Sequence, residues 1–193
     1  MLVATAVLLA GCSGSTATTE PTPSAAPLPS ASSTTGTTPT AEQTAWAGQV
    51  CTATATVQKD AEGLAAAATS GGEVEAKLKA QMAVIQTSAR TLATTVTDVP
   101  ASLKGDPALA AVKASADQFT ASVTAAVASV TALEGTSGPS KVQGLATVTS
   151  AAGTALSKLG ATAQSIKNEA KEGKTVLGQA FAAAPSCDSL DAK

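Results

Sequence analysis

Residues 40–57 read TAEQTAWAGQVCTATATV, and the period of this stretch decides the fold. Trp46, Val50, Ala53 and Val57 recur at steps of three and four, and Ala61, Leu64 and Ala68 carry the same stripe onward. That spacing puts one apolar seam along an α-helix and is incompatible with the alternation of a half-buried strand. The start is marked chemically as well. Thr40 places a hydroxyl before the first periodic residue and Gln43 an amide three positions later, the form of a capping box.

The same period returns three times. Val74, Leu78, Met82, Ile85, Ala89, Leu92, Val96 and Val99 form a second stripe, and Leu109, Val112, Ala116, Phe119, Val123, Val127, Val130 and Leu133 a third. The fourth runs through Val142, Leu145, Val148, Ala152, Leu156, Leu159, Ala163, Ile166 and Ala170, and continues to Leu177 and Phe181. Thr69-Ser70-Gly71-Gly72 separates the first two, Pro100 ends the second, and Asp106-Pro107 opens the third with a capping carboxylate and a proline at the first helical position. Gly135 to Pro139 divides the third from the fourth, which Gly173 kinks or splits. Short connections favour antiparallel neighbours, so the expected fold is all-α: an antiparallel up-down-up-down four-helix bundle over residues 41–193. Its seams are rich in Ala, so the helices are expected to approach closely and to leave little internal space. Glu73–Lys77 and Glu75–Lys79, at i,i+4 on the second helix, are expected to form a solvated face.

Composition narrows the function. The net charge is −2, which gives no basic footprint for nucleic acid. The chain has no histidine, which removes the commonest general base and metal ligand and every Ser-His or Cys-His nucleophile pair. The paired carboxylates Glu73/Glu75, Glu169/Glu172 and Asp188/Asp191 lack flanking groups that would build a substrate cleft, and no phosphate loop, nucleophile elbow or calcium loop is present. The chain is therefore expected not to be an enzyme and to need no cofactor or metal. Lys158, Lys167, Lys171 and Lys174 gather near the C-terminal end but alternate with Glu169 and Glu172, the pattern of a solvated face rather than an anionic-lipid site.

The N-terminal residues describe an address. Leu2 to Ala10 form an apolar run of signal-peptide length, too short for the roughly 20 residues a membrane helix needs. It ends on Leu9-Ala10-Gly11-Cys12, which resembles the lipobox of bacterial lipoproteins. The resemblance implies that residues 1–11 are a signal peptide, that Cys12 becomes the mature N-terminus, and that its sulfur carries a diacylglycerol, with acyl chains such as palmitate. Two or more chains hold a protein firmly on a membrane where one does not. The first basic residue is Lys59, so the usual basic start of a signal peptide is missing. An upstream start site, a trimmed sequence or inefficient export would each account for this.

Beyond Cys12, residues 13–40 are almost all Ser, Thr, Pro and Ala, with the single charge of Glu20. Five prolines and little large apolar surface predict a disordered tether for residues 12–40. Its span is roughly 30 Å if flexible and about 90 Å if fully extended as polyproline. It is either an O-glycosylated segment or a bare spacer. The whole resembles the Ala/Thr-rich envelope lipoproteins of high-GC Gram-positive bacteria, with a lipobox, a Ser/Thr/Pro tether and a small helical domain of no assigned activity.

With Cys12 assigned to lipid by that resemblance, Cys51 and Cys187 remain. Cys51 falls near the start of the first helix and Cys187 just past the fourth, which an antiparallel four-helix topology brings to the same end. A Cys51–Cys187 disulfide is expected. Trp46, one turn before Cys51, either packs over that end or stands half-exposed as a partner-binding anchor. The expected function is that of a lipid-anchored protein on the extracytoplasmic face of the cell membrane. It would act as a binding or structural component of the envelope, with an envelope protein or glycan as partner. The alternative is a small-molecule or lipid carrier that uses a groove between helices.

Overall fold

In a computed structural model, which describes residues 38–69 and 74–191, these residues are all-helical and contain no strand. Five α-helices follow one another: α1 Ala41–Ala68, α2 Val74–Thr97, α3 Pro107–Thr131, α4 Gly138–Glu172 and α5 Val176–Ala183. Two short 3-10 segments, Ala101–Leu103 and Pro185–Asp191, complete the order. Each long helix packs on the next in sequence, and α5 rests on α4 and α1. Consecutive helices meet end to start. The Trp46 indole donates to the Thr95 carbonyl (2.8 Å), Lys79 at the start of α2 pairs with Glu134 beyond α3, and Leu133 sits against Gly144 early in α4.

The boundaries follow from single residues. Thr40 and Gln43 form the complete capping box: the Gln43 amide N–H donates to the Thr40 hydroxyl, and the Gln43 side-chain oxygen accepts from the Thr40 N–H at 2.8 Å. The same Gln43 side chain, 5% exposed, donates to Ser102 at 3.0 Å and so ties α1 to the Ala101–Leu103 turn. Asp106 caps two helices with one carboxylate. One oxygen accepts from the Ala108 N–H at the start of α3, and the other from the Leu177 N–H in the first turn of α5, both at 2.9 Å. Gly173 closes α4 with φ at 56°, a left-handed conformation that suits glycine.

The core is built from Val, Leu, Ala and two phenylalanines, with Phe119, Phe181, Leu92, Leu103, Leu133, Ile166 and Leu177 its largest fully buried side chains. Threonine enters it because its hydroxyl is satisfied locally. Thr54 and Thr162 are both fully buried and donate to the carbonyls of Val50 and Lys158, one turn back.

Of the two outcomes expected at Gly173, the split is the one found: the fourth stripe is two helices, and Leu177 and Phe181 belong to α5. Two sequence readings need correction. Val142 and Leu156 were assigned to the seam of α4 but are 69% and 43% exposed; the buried face runs instead through Val148, Ala155, Leu159, Thr162, Ala163 and Ile166. Finally, Glu75 pairs across helices with Lys141 (2.7 Å) and Lys79 with Glu134, so the ion pairs link helices rather than decorate one. Glu73 lies outside the described residues.

α5 depends on a close approach. A Cβ at Gly178 would stand 2.4 Å from the Glu169 carbonyl oxygen and 3.2 Å from its carbon, both backbone atoms of α4 that cannot rotate aside. Gly178→Ala is expected to lower the unfolding free energy by about 1–3 kcal/mol, the usual cost of overpacking, in urea denaturation followed by circular dichroism.

Candidate functional site

Cys12 and the segment Leu9 to Gly11 lie outside the described residues, as does the tether before residue 38. The other two cysteines come together. Cys51, fully buried at the end of the third turn of α1, is bonded to Cys187 in the Pro185–Asp191 segment, with Cα atoms 4.9 Å apart. Two elements bring Cys187 there. α5 turns the chain back from α4 toward α1, and the Ser186 hydroxyl then donates to the Gly48 carbonyl at 2.9 Å. The Gly48 position is tight, since a Cβ there would meet the Ser186 hydroxyl at 3.2 Å.

Trp46 is 4% exposed. Its N–H is satisfied by Thr95, and its ring lies 6.1 Å from that of Phe181 in a tilted arrangement. Of its two readings, packing at the cysteine-bearing end matches this placement; the ring presents no face to a partner.

Beside the disulfide, α1, α2 and Ser186 enclose an open groove of about 500 Å³, walled by Gly48, Gln49, Thr52, Thr56, Thr91 and Thr95 among others. None of its lining residues is charged. Its chemistry is less polar than its sequence. Thr52 and Thr56 donate their hydroxyls to Gly48 and Thr52 carbonyls on α1, and Thr91 and Thr95 to Thr87 and Thr91 carbonyls on α2. A threonine hydroxyl held against its own helix leaves the γ-methyl as the feature a ligand would meet. The carrier alternative named a groove between helices but not where it lies, because its lining needs two helices and a distant serine. The available signal was threonine repeated at four-residue steps, Thr52/Thr56 and Thr87/Thr91/Thr95.

The lysines in α4 and just after it separate by role. Lys158 donates to the Gln118 side chain at 3.0 Å, and Lys174 pairs with Glu172 at 3.1 Å. Lys167 and Lys171 line a more polar cleft with Gln164, Asn168 and Asp188 beside the disulfide. Among the described residues no cluster of His, Cys, Asp and Glu is arranged to hold a metal, and no helix is long and apolar enough to cross a membrane.

Glu169 is the carboxylate whose environment is altered. Partial burial raises its pKa above the ordinary 4.5, and the negative charges of Glu172 and Asp106 add to this, while Lys174 opposes them. A raised carboxylate binds its proton more tightly in the folded state, so its contribution is favourable below the ordinary pKa and is lost as pH rises through the folded value. Glu169→Gln is therefore expected to be more stable than the native chain at pH 7. The gap should narrow below pH 4.5, as read by urea unfolding at several pH values.

The disulfide carries a larger effect. It closes a separation of 136 residues, which in the chain-entropy treatment is worth about 5 kcal/mol. That equals the lower end of the total stability of a domain, about 5–15 kcal/mol. The Cys51→Ser/Cys187→Ser double variant is expected to unfold at markedly lower urea concentration than the native chain, and reductant should shift the native chain the same way but leave the variant unmoved. Compared with known proteins, the chain matches no family model, no curated protein and no solved structure.

Proposed function

We propose that this chain is a lipid-anchored protein of the extracytoplasmic face of the cell membrane, attached through Cys12 after removal of residues 1–11. Its helical domain serves as a binding or structural component of the envelope, without catalysis. In this reading α1 to α4 form an antiparallel up-down-up-down bundle, α5 closes one end, and the residues before α1 are the tether that sets its distance from the membrane. The observation that carries the location is the Cys51–Cys187 bond, buried at both ends. Structural disulfides persist in oxidising compartments outside the cytoplasm. An export signal ending on Cys12, with the other two cysteines already paired, fits that compartment.

A second reading, a carrier for an apolar small molecule or lipid, is favoured by the methyl-walled groove between α1 and α2. Its volume lies within the roughly 300–1,000 Å³ of small-ligand sites. Titration of the full chain with an apolar fluorescent fatty acid separates the two readings. Saturable binding weakened by Thr91→Arg supports the carrier, and no binding leaves the groove as surface relief.

The anchor is tested on the native protein in its host. The mature chain should carry a diacylglycerol-sized mass on Cys12 and sediment with membranes, and Cys12→Ser should remove the mass and release the protein. A native chain without acyl mass, recovered wholly in the soluble fraction, overturns the reading.

A further inference from the structure

The groove between α1 and α2 does not end at its uncharged walls. Gln49, Thr91 and Thr95 form a rim that it shares with a second open cleft of about 390 Å³, and that cleft adds Arg90 and Asp98. A methyl-walled trough and a charged cleft are thus one continuous surface.

Arg90 is the one arginine of the chain. It is exposed, and among the described residues its guanidinium makes no hydrogen bond or ion pair. Lys79, Lys141 and Lys174, by contrast, pair with Glu134, Glu75 and Glu172. Asp98 lies in the same cleft but roughly 12 Å further on at the helical rise, and does not pair with Arg90. Two contacts between the helices order these groups along the groove. Trp46 donates to the Thr95 carbonyl near one end, and Ser88 donates to the Asp60 carboxylate near the other. Arg90 therefore stands toward the Ser88 end, and Asp98 beyond the Thr95 end.

The α1 wall runs from Ala45 to Thr56, about 16 Å at the helical rise. Over that length the 500 Å³ of the groove leaves a cross-section of about 30 Å², room for one extended alkyl chain and not for two. We propose that the groove holds a single-chain fatty acid, with its alkyl chain against the threonine methyls and its carboxylate on Arg90. The inference rests on the carrier reading and adds to it the class of ligand and the residue that selects its head. A guanidinium offers paired N–H donors in the plane that a carboxylate needs, and here no internal partner competes for them. Asp98 repels an anionic head from the other end. The head is thereby fixed at the Ser88 end, and the tail runs toward Ser186, which is held on Gly48.

The test titrates the purified, isotopically labelled full chain with three probes of equal chain length: laurate, dodecanol and dodecyltrimethylammonium, each below its micellar threshold. Amide shifts are expected to gather at residues 45–56 and 88–95. Laurate should bind about fivefold tighter than dodecanol, the worth of a well-placed exposed ion pair, and the ammonium should bind least. Arg90→Gln, at an exposed and unpaired site, should keep the native circular dichroism, bring laurate down to the affinity of dodecanol and leave dodecanol unmoved. Added salt should narrow the native gap in the same way. Equal affinity for the three probes overturns the inference and leaves the carrier reading standing; no binding of any probe overturns both. A laurate advantage that survives in Arg90→Gln overturns it too, as does a preference for the ammonium, which would assign the head to Asp98. So do amide shifts in the groove on concentrating the free chain, which would seat a second copy there.

Discussion

The bond between Cys51 and Cys187 is the constraint around which one end of the molecule is arranged. α1 contributes Trp46, whose indole reaches the end of α2, and Gln43, whose amide reaches Ser102 beyond it. α5 contributes Phe181 against Trp46, and the final segment adds Ser186 on Gly48. None of these contacts is strong alone; neutral hydrogen bonds are worth about 1 kcal/mol each. α5 has only eight residues, and a helix that short has no stability of its own in water. It is held by the shared cap from Asp106, by the bare backbone at Gly178 and by the covalent link that follows it.

That reliance on a covalent link follows from composition. Aromatics make up 2% of the chain, and the buried faces of α1, α3 and α4 interleave Ala with larger apolar residues. A buried alanine removes little apolar area from water, and burial is worth only about 25 cal/mol per Å². Two consequences are visible. Helices come close enough that glycines at positions 63, 144 and 178 face side chains or backbone of a neighbour. Polar residues are also drawn into or against the core, each satisfied by the turn before it, as Thr54 is by Val50 and Thr162 by Lys158.

The sequence was most legible where one residue makes a boundary. Thr40 with Gln43, Asp106 with Pro107, and Gly173 act through their own backbone and side chain, so local chemistry suffices to locate the ends of α1, α3 and α4. The pairing of Cys51 with Cys187 was legible for a different reason: the expected helix order places those ends near each other, and α5 and Ser186 complete the approach. What failed depended on a second helix. Glu75 and Lys79 satisfy the i,i+4 rule, yet each finds a partner on another element, Lys141 and Glu134. The lining of the groove escaped notice because threonines read as polar in one dimension, while their hydroxyls turn back onto the helix in three. Val142 and Leu156 were misplaced because a periodic stripe states that a face is apolar, and not whether it looks inward.

That last failure bears on how the molecule is stabilised. α4 is 35 residues long, and its inner face through Val148, Leu159 and Ile166 already accounts for its packing on the rest of the domain. Two open glycines in its interior cost about 1 kcal/mol each relative to alanine, and the exposed Leu156 and Val142 return little as a monomer surface. The disulfide, worth about 5 kcal/mol on loop length, supplies a margin wider than the two glycines remove. The covalent link at one end thus offsets an outer face of α4 that adds little to the stability of the single chain.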